Sequence, residues 1–166
     1  MIRLLQLALV IGFTVALTAC DPNERRAGLW LSGDVVTTPI DDWAFSDAYP
    51  LIYVETRTPY LVPHSVTTTV VAANGTLYVP SLYYEGGEFP AERRWNRNIA
   101  RDPDVRLKIG DSIYERRATL VTDTAERATV LAAFAAKYDR WREMLKDGEP
   151  ERPRMILLRM DARPQA

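Results

Sequence analysis

Two short turn signals constrain the fold of this chain more than any other feature of its sequence. Asn74-Gly75 separates two runs rich in β-forming residues, Val66 to Ala73 and Thr76 to Tyr84. Asn-Gly is the strongest short hairpin signal, because both of its positions tolerate a positive φ. Gly110-Asp111 is a second such signal, and it follows Val105-Arg106-Leu107-Lys108-Ile109, whose alternation predicts a strand with one buried face. We therefore expect antiparallel strands joined by tight hairpins.

The rest of the chain adds strands and two helices to these hairpins. Further strands are predicted at Leu51 to Thr58, Ser112 to Thr122 and Arg154 to Met160, with an edge strand in Gly28 to Val36. One helix is expected to have Pro90 in its first turn and to end at Asp102-Pro103, and a second runs from the Asp123 cap to about Gly148. The predicted fold is mainly β with flanking helices (α+β): a six- or seven-stranded antiparallel barrel with two helices.

Composition narrows the classes of function. The chain has 166 residues, which suits one globular domain, and a net charge of -1 that does not favour nucleic acid as a partner. It contains one His and one Cys, so a metal site built from these side chains is not expected. A Ser-His-Asp arrangement has only one His to draw on, and no catalytic side chain is assigned.

The first twenty residues have the pattern of an export signal. Arg3 is followed by an apolar run from Leu4 to Leu17, which is shorter than the roughly 20 residues that a spanning helix needs. Leu17-Thr18-Ala19-Cys20 resembles the lipobox of bacterial lipoproteins. The resemblance implies that residues 1–19 are a signal peptide and that Cys20 carries the lipid. It also implies that residues 20–28 form a tether to the bilayer outside the cytoplasm, leaving 29–166 as one domain. Asp21 resembles an inner-membrane retention signal.

Four motifs in order resemble a known family of barrels. These are Leu77-Tyr78-Val79-Pro80-Ser81, the glycine pair Gly86-Gly87, Trp95-x-x-Asn98-Ile99, and Asp102-Pro103-Asp104-Val105-Arg106-Leu107. They resemble the split β-barrel proteins related to pyridoxamine-phosphate oxidase, and more closely the deazaflavin-dependent nitroreductases. The resemblance covers roughly residues 55 to 161. It implies a split β-barrel, a homodimer as in many relatives, and a flavin-type cofactor, FMN or deazaflavin F420, at the barrel edge.

The same resemblance implies which residues hold the cofactor. Ser81, Trp95 and Asn98 match positions that approach the cofactor in relatives, and Arg94 (or Arg93) could meet a phosphate at the start of the helix. The alternative for Trp95, with Ile99 four residues on, is the core face of a small helix.

One part of the chain departs from the family pattern. Relatives carry a Gly-Arg-x-Ser-Gly turn where this chain has the segment Arg57 to Ser65, from which the glycines are missing. We expect Ser65 and Thr67, with His64, to replace that turn by hydrogen bonding to the cofactor. His64 as an ordinary loop residue is the alternative.

Several functions therefore remain open. The first is a lipid-anchored oxidoreductase that reduces a small quinone or nitro-aromatic acceptor. The second is a non-enzymatic envelope lipoprotein that binds a small apolar or aromatic ligand, or a protein partner, with no cofactor. A third is haem binding through His64. Export as an unfolded chain works against the first, since the cofactor must then be captured outside the cytoplasm.

Overall fold

The computed structural model describes residues 28, 30–83, 87–148 and 155–164. Within this part the fold is α+β, with eight strands in one sheet and three α-helices. The strands are β1 (Asp34–Val36), β2 (Ile52–Arg57), β3 (Pro63–Thr68), β4 (Val71–Ala73), β5 (Thr76–Leu82), β6 (Asp104–Ile109), β7 (Ser112–Leu120) and β8 (Met155–Ala162). The α-helices are α1 (Arg94–Arg101), α2 (Thr124–Lys137) and α3 (Asp139–Met144), and a short 3-10 helix covers Ala44–Ala48.

The sheet is antiparallel except at one strand. Its order is β3-β2-β6-β7-β8-β5-β4, and β1 pairs in parallel with β7. The sheet does not close into a full barrel. The predicted fold class is confirmed, although eight strands replace the predicted six or seven. The run from Val66 to Ala73, predicted as one strand, is divided between β3 and β4 by Thr69 and Val70.

Both hairpin signals form the turns that the sequence predicts. Asn74 and Gly75 have φ of 50° and 75° between β4 and β5, and Gly110 has φ of 60° between β6 and β7. The left-handed region is accessible to Asn and Gly at low cost, which is why these residues stand at these turns.

The two faces of the sheet bury two separate cores. Along β5, Leu77 and Val79 join one core and Tyr78 joins the other, as alternation along a strand requires. The first core also takes Trp95 and Ile99 from α1. The second lies against α2 and α3 and includes Phe134. Fully burying an aliphatic side chain contributes about 1.5–3 kcal/mol, so these two clusters supply most of the stabilisation.

The helices depart from the prediction at two places. The first begins at Arg94 rather than near Pro90, which follows a cis peptide bond. The predicted second helix is interrupted at Tyr138, whose φ of -127° and ψ of 123° are extended. The Tyr138 hydroxyl lies 2.8 Å from the Val70 carbonyl and 3.0 Å from the Pro50 carbonyl, so its single hydrogen is shared between two acceptors at the break. Asp123 caps α2 as predicted, accepting from the Glu126 N–H at 2.7 Å.

The N-terminal predictions fall outside the described residues. The signal peptide, Cys20, Asp21 and the tether up to residue 27 lie there, as does Gly86 of the glycine pair. None of the helices in the described ranges has the length and apolar character needed to cross a bilayer.

Candidate functional site

A groove of about 540 Å³ opens where the first core meets the surface. Strand β3 lies on one side, the end of β5 on another, and α1 and α3 complete its walls. The side chains that line it come from these four elements and the residue before α1: chiefly His64, Val66, Thr67, Thr68, Pro80, Ser81, Leu82, Arg93, Arg94, Trp95, Arg140, Trp141 and Met144. We call it the Ser81 groove.

Ser81 is the most informative residue of the groove. It follows Leu77 and Val79 on the same face of β5, so its side chain is directed toward the first core. The residue is 2% exposed, and its Oγ is buried with no hydrogen-bond partner. Buried hydroxyls are normally hydrogen-bonded, and in a groove a water or a ligand can supply the partner that the described residues do not. Ser81 was predicted to bind a cofactor, and it lies in the groove.

Trp95 serves both the core and the groove. It is 5% exposed, packs in the first core with Ile99, and also forms part of the groove wall. The two interpretations of Trp95 from sequence are therefore compatible, since one edge of a large ring can fill a core while another borders a cavity.

The described residues that line the groove carry positive charge. Arg93, Arg94 and Arg140 line it, and no Asp or Glu is among the described residues that do so. Within the part of the chain that the structure describes, Arg94 and Arg140 form no ion pair. Arg93 is the N-cap of α1, whose first N–H groups receive no side-chain cap. Guanidinium groups beside a helix N-terminus form a suitable environment for an anion such as phosphate.

His64 adds a titratable group to this charged surface. Its Nδ1 is buried with no partner, while its backbone carbonyl accepts from the Thr56 hydroxyl at 3.1 Å. Burial lowers the pKa of His64 below its ordinary value of 6.5, and the charge on Arg94 lowers it further. His64 is therefore held in its neutral form, in which one ring nitrogen can accept a hydrogen bond.

Two predicted site residues lie elsewhere. Asn98 is 2% exposed, and its amide donates to Thr56 Oγ1 at 2.9 Å, which ties α1 to β2. Ser65 is buried against Gly28, whose N–H donates to Ser65 Oγ at 2.7 Å while the Ser65 N–H donates to the Gly28 carbonyl at 2.7 Å. Neither lines the groove, whereas Thr67 and Arg94 do.

The sequence analysis missed the contribution of α3. Arg140, Trp141 and Met144 line the groove, and they belong to α3, which begins directly after the break at Tyr138. Trp141 also stacks on Phe134, with ring centroids 4.3 Å apart. In the sequence, the one sign of a break in this helix is the polar pair Asp139-Arg140 after Tyr138, and this pair also fits a continuous helix.

No side-chain cluster suited to a metal occurs among the described residues, in the sense of three or more His, Cys, Asp or Glu together. Two tryptophans that precede β2 differ in burial. Trp43 is 3% exposed and packs edge-on against Tyr114 at 5.1 Å, while Trp30 is 67% exposed.

No protein-family model and no curated protein matches this chain. Solved structures do match its fold. One is an F420-H2 dependent reductase, 18% identical over 68% of this chain and 95% of its own length, with a TM-score of 0.50. Another is HutZ, the heme storage protein from Vibrio cholerae, 13% identical over 73% of this chain and 87% of its own, with a TM-score of 0.53. A third, described as a domain-swapped dimer, is 19% identical over 68% and 81%, with a TM-score of 0.51.

The chain has the split-barrel fold of these structures. At identities this low the likeness concerns the fold alone, because one fold supports many activities and function resides in the site.

Proposed function

We propose that this chain is a lipid-anchored extracytoplasmic oxidoreductase that binds FMN or deazaflavin F420 in the Ser81 groove. Its acceptor would be a small quinone or nitro-aromatic compound. The observation that carries the proposal is the buried Ser81 hydroxyl without a partner, in a groove whose described lining includes Trp95 and three arginines but no carboxylate. The fold shared with an F420-H2 dependent reductase supports it.

The residues of the groove suit such a cofactor. A volume of about 540 Å³ lies in the usual range of roughly 300–1,000 Å³ for cofactor sites. Trp95 offers an aromatic wall for a tricyclic ring, Ser81 a hydrogen-bonding group, and Arg94 and Arg140 charges for a phosphate. Asn98 and Ser65 contribute to the site indirectly, by fixing α1 and the segment before β1.

The cofactor and the protein would have separate roles. A flavin or deazaflavin would supply the transfer of electrons when bound. The protein would hold the ring against Trp95, orient it through Ser81, and neutralise its phosphate. No side chain is required as an acid or a base, because orientation in a preformed site provides much of the rate enhancement. Relatives of this kind are often dimers, and a homodimer remains part of the proposal.

The deciding experiment is a titration of the purified full chain with FMN and, separately, with F420. We expect a change in the cofactor absorbance and a rise in melting temperature that saturate together, as linkage between binding and folding requires. In the same titration, the Ser81→Ala variant should need a higher concentration of FMN or F420 to reach saturation. No response from either cofactor would contradict the proposal.

A second candidate is non-enzymatic binding of an aromatic ligand in the same groove, favoured by one observation. His64 lines the groove, its Nδ1 has no hydrogen-bond partner, and its lowered pKa favours the neutral imidazole, which is the form that ligates haem iron. The protein would then be an envelope lipoprotein that holds haem or a similar ring. Haem titration of the full chain and of His64→Ala separates the two candidates, since loss of the imidazole should abolish haem ligation but only weaken FMN or F420 binding, which would keep its contacts with Ser81, Trp95 and the arginines.

A further inference from the structure

The turn between β2 and β3 exposes three consecutive apolar side chains. In this turn Tyr60 is 87% exposed, Leu61 75% and Val62 46%. Single exposed apolar residues are ordinary, but a contiguous set marks a surface that contacts something else. We call residues 58–62 the apolar turn.

The apolar turn is fixed in shape. The Thr58 N–H donates to the Val62 carbonyl at 3.0 Å, and the Leu61 N–H donates to the Thr58 carbonyl at 2.9 Å. The Thr58 hydroxyl accepts from the Val62 N–H at 3.1 Å. These bonds keep Tyr60 and Leu61 at the outermost point, where they contribute nothing to either core.

Leu61 is an unexpected residue for its backbone conformation. Its φ is 60°, in the left-handed region that Gly or Asn occupies at lower cost. A side chain that is neither buried nor favoured by the backbone does not serve the stability of the fold. The presence of leucine at this position therefore suggests a use for its exposed side chain.

The N-terminal segment enters the described fold close to this turn. Gly28 pairs with Ser65 through two hydrogen bonds, and Ser65 lies three residues along β3 from Val62, roughly 10 Å away. Only residues 21–27 separate Gly28 from Cys20. Eight Cα steps span at most roughly 28 Å, so a lipid on Cys20 would hold this end of the protein near the bilayer.

The charges around the turn suit a lipid surface. Arg57 precedes the turn and is exposed, and the guanidinium of Arg101 donates to the Arg57 carbonyl. The stretch from Arg57 to Val62 contains no carboxylate. Trp30, also exposed, lies two residues from Gly28. Aromatic and aliphatic residues flanked by arginine are typical of contacts with the headgroup region of anionic membranes.

We infer that the apolar turn inserts into the interface of the bilayer that carries the Cys20 anchor. The inference rests on the anchoring part of the proposed function and goes beyond it. The anchor alone would leave the barrel free to rotate, whereas a second contact at Tyr60 and Leu61 gives it one orientation relative to the membrane.

The experiment uses the acylated full chain in vesicles of phosphatidylethanolamine and phosphatidylglycerol. Leu61→Cys and, as a control, Val35→Cys each receive an environment-sensitive thiol-reactive dye. Val35 is 49% exposed and pairs with Ile113, at the end of the sheet away from the turn. We expect lipids with a nitroxide near the headgroup to quench the dye at position 61 several-fold more than the dye at position 35.

The possible results distinguish membrane contact by the apolar turn from attachment through the lipid on Cys20. Equal quenching at the two positions, with Cys20 unreactive toward thiol reagents in the parent protein, overturns the inference and leaves the anchor intact. The inference is also overturned if the fluorescence of the dye at position 61 changes only with protein concentration, because that result would indicate a protein partner. A freely reactive Cys20 thiol in the parent removes the anchor, and the inference with it. Melting temperatures of both variants check that they are folded.

Discussion

Asn98 donates its side-chain amide to the hydroxyl of Thr56 at 2.9 Å, with both residues almost fully buried. The Thr56 hydroxyl in turn donates to the carbonyl of His64. This chain of hydrogen bonds links α1, β2 and β3 beneath the Ser81 groove. The amide that the Trp-x-x-Asn motif suggests for a cofactor is therefore occupied in holding the walls of the groove together.

The first prediction concerns this bond. Asn98→Ala leaves the buried Thr56 hydroxyl without its donor and should lower the free energy of unfolding by about 1–3 kcal/mol. Chemical denaturation measures the change. Combining it with Thr56→Val in a double-mutant cycle should show that the two losses are not additive, because the residues share one bond. Additive losses would mean that Asn98 has another role.

The second prediction separates binding from stability at Ser81. Ser81→Ala removes a hydroxyl that has no partner, so it should leave the free energy of unfolding nearly unchanged or slightly raised. It should weaken FMN or F420 binding by roughly 2- to 12-fold, the equivalent of one hydrogen bond. Ser46→Ala is a matched control, since the Ser46 hydroxyl is also buried and unpartnered but does not line the groove. Equal effects of the two substitutions on binding would refute the assignment.

The third prediction uses the single histidine of the chain. Because burial and Arg94 lower its pKa, folded His64 should titrate below 6.5, and Arg94→Ala should move the pKa upward. Between the folded pKa and 6.5 the unfolded chain binds more protons than the folded one. The neutral His64 side chain therefore makes its full contribution to the free energy of unfolding above pH 6.5. That contribution is lost as the pH falls from 6.5 through the folded pKa. NMR of the His64 ring in folded and urea-unfolded protein provides the measurement, and added phosphate should raise the folded pKa. A folded pKa equal to the unfolded value would contradict this description.

The fourth prediction tests what holds the N-terminal segment on the sheet. Glu55 is 6% exposed, accepts from the Leu31 N–H at 2.7 Å and pairs with Arg106 at 3.1 Å. Glu55→Ala leaves the Leu31 N–H without an acceptor and Arg106 with only the Leu31 carbonyl (3.2 Å) and the more distant Glu115 (3.9 Å), and it should cost about 3 kcal/mol of stability. Asp104→Ala is the control: it removes a pair with Arg117 of similar length but greater exposure, and should cost less than about 1 kcal/mol.

Limited proteolysis is a second measurement that tests the fourth prediction. If Glu55 fixes the segment around Leu31, cleavage there should become faster in Glu55→Ala and stay unchanged in Asp104→Ala. Similar costs and similar cleavage in the two variants would show that burial of the Glu55 pair has no special role.

Some features could be predicted because they depend on residues close together in the chain. The two hairpins follow from Asn74-Gly75 and Gly110-Asp111, and the buried face of β6 follows from alternation. The motif ending at Ser81 identified a residue that does line the groove. Its position needed only the direction of β5, since every second side chain of a strand points to the same face.

The antiparallel pattern of strands, the cap at Asp123 and the two hairpin turns depend on backbone preference and side-chain period, which are local properties and can be predicted from the chain. The partners of the polar side chains depend on long-range contacts. Asn98 meets Thr56 across 42 residues, and Ser65 meets Gly28 across 37. The Tyr138 hydroxyl, at the break between α2 and α3, bonds to the Val70 carbonyl, 68 residues away. A hydrogen-bonding group takes whichever partner folding places beside it, and no local pattern specifies that partner.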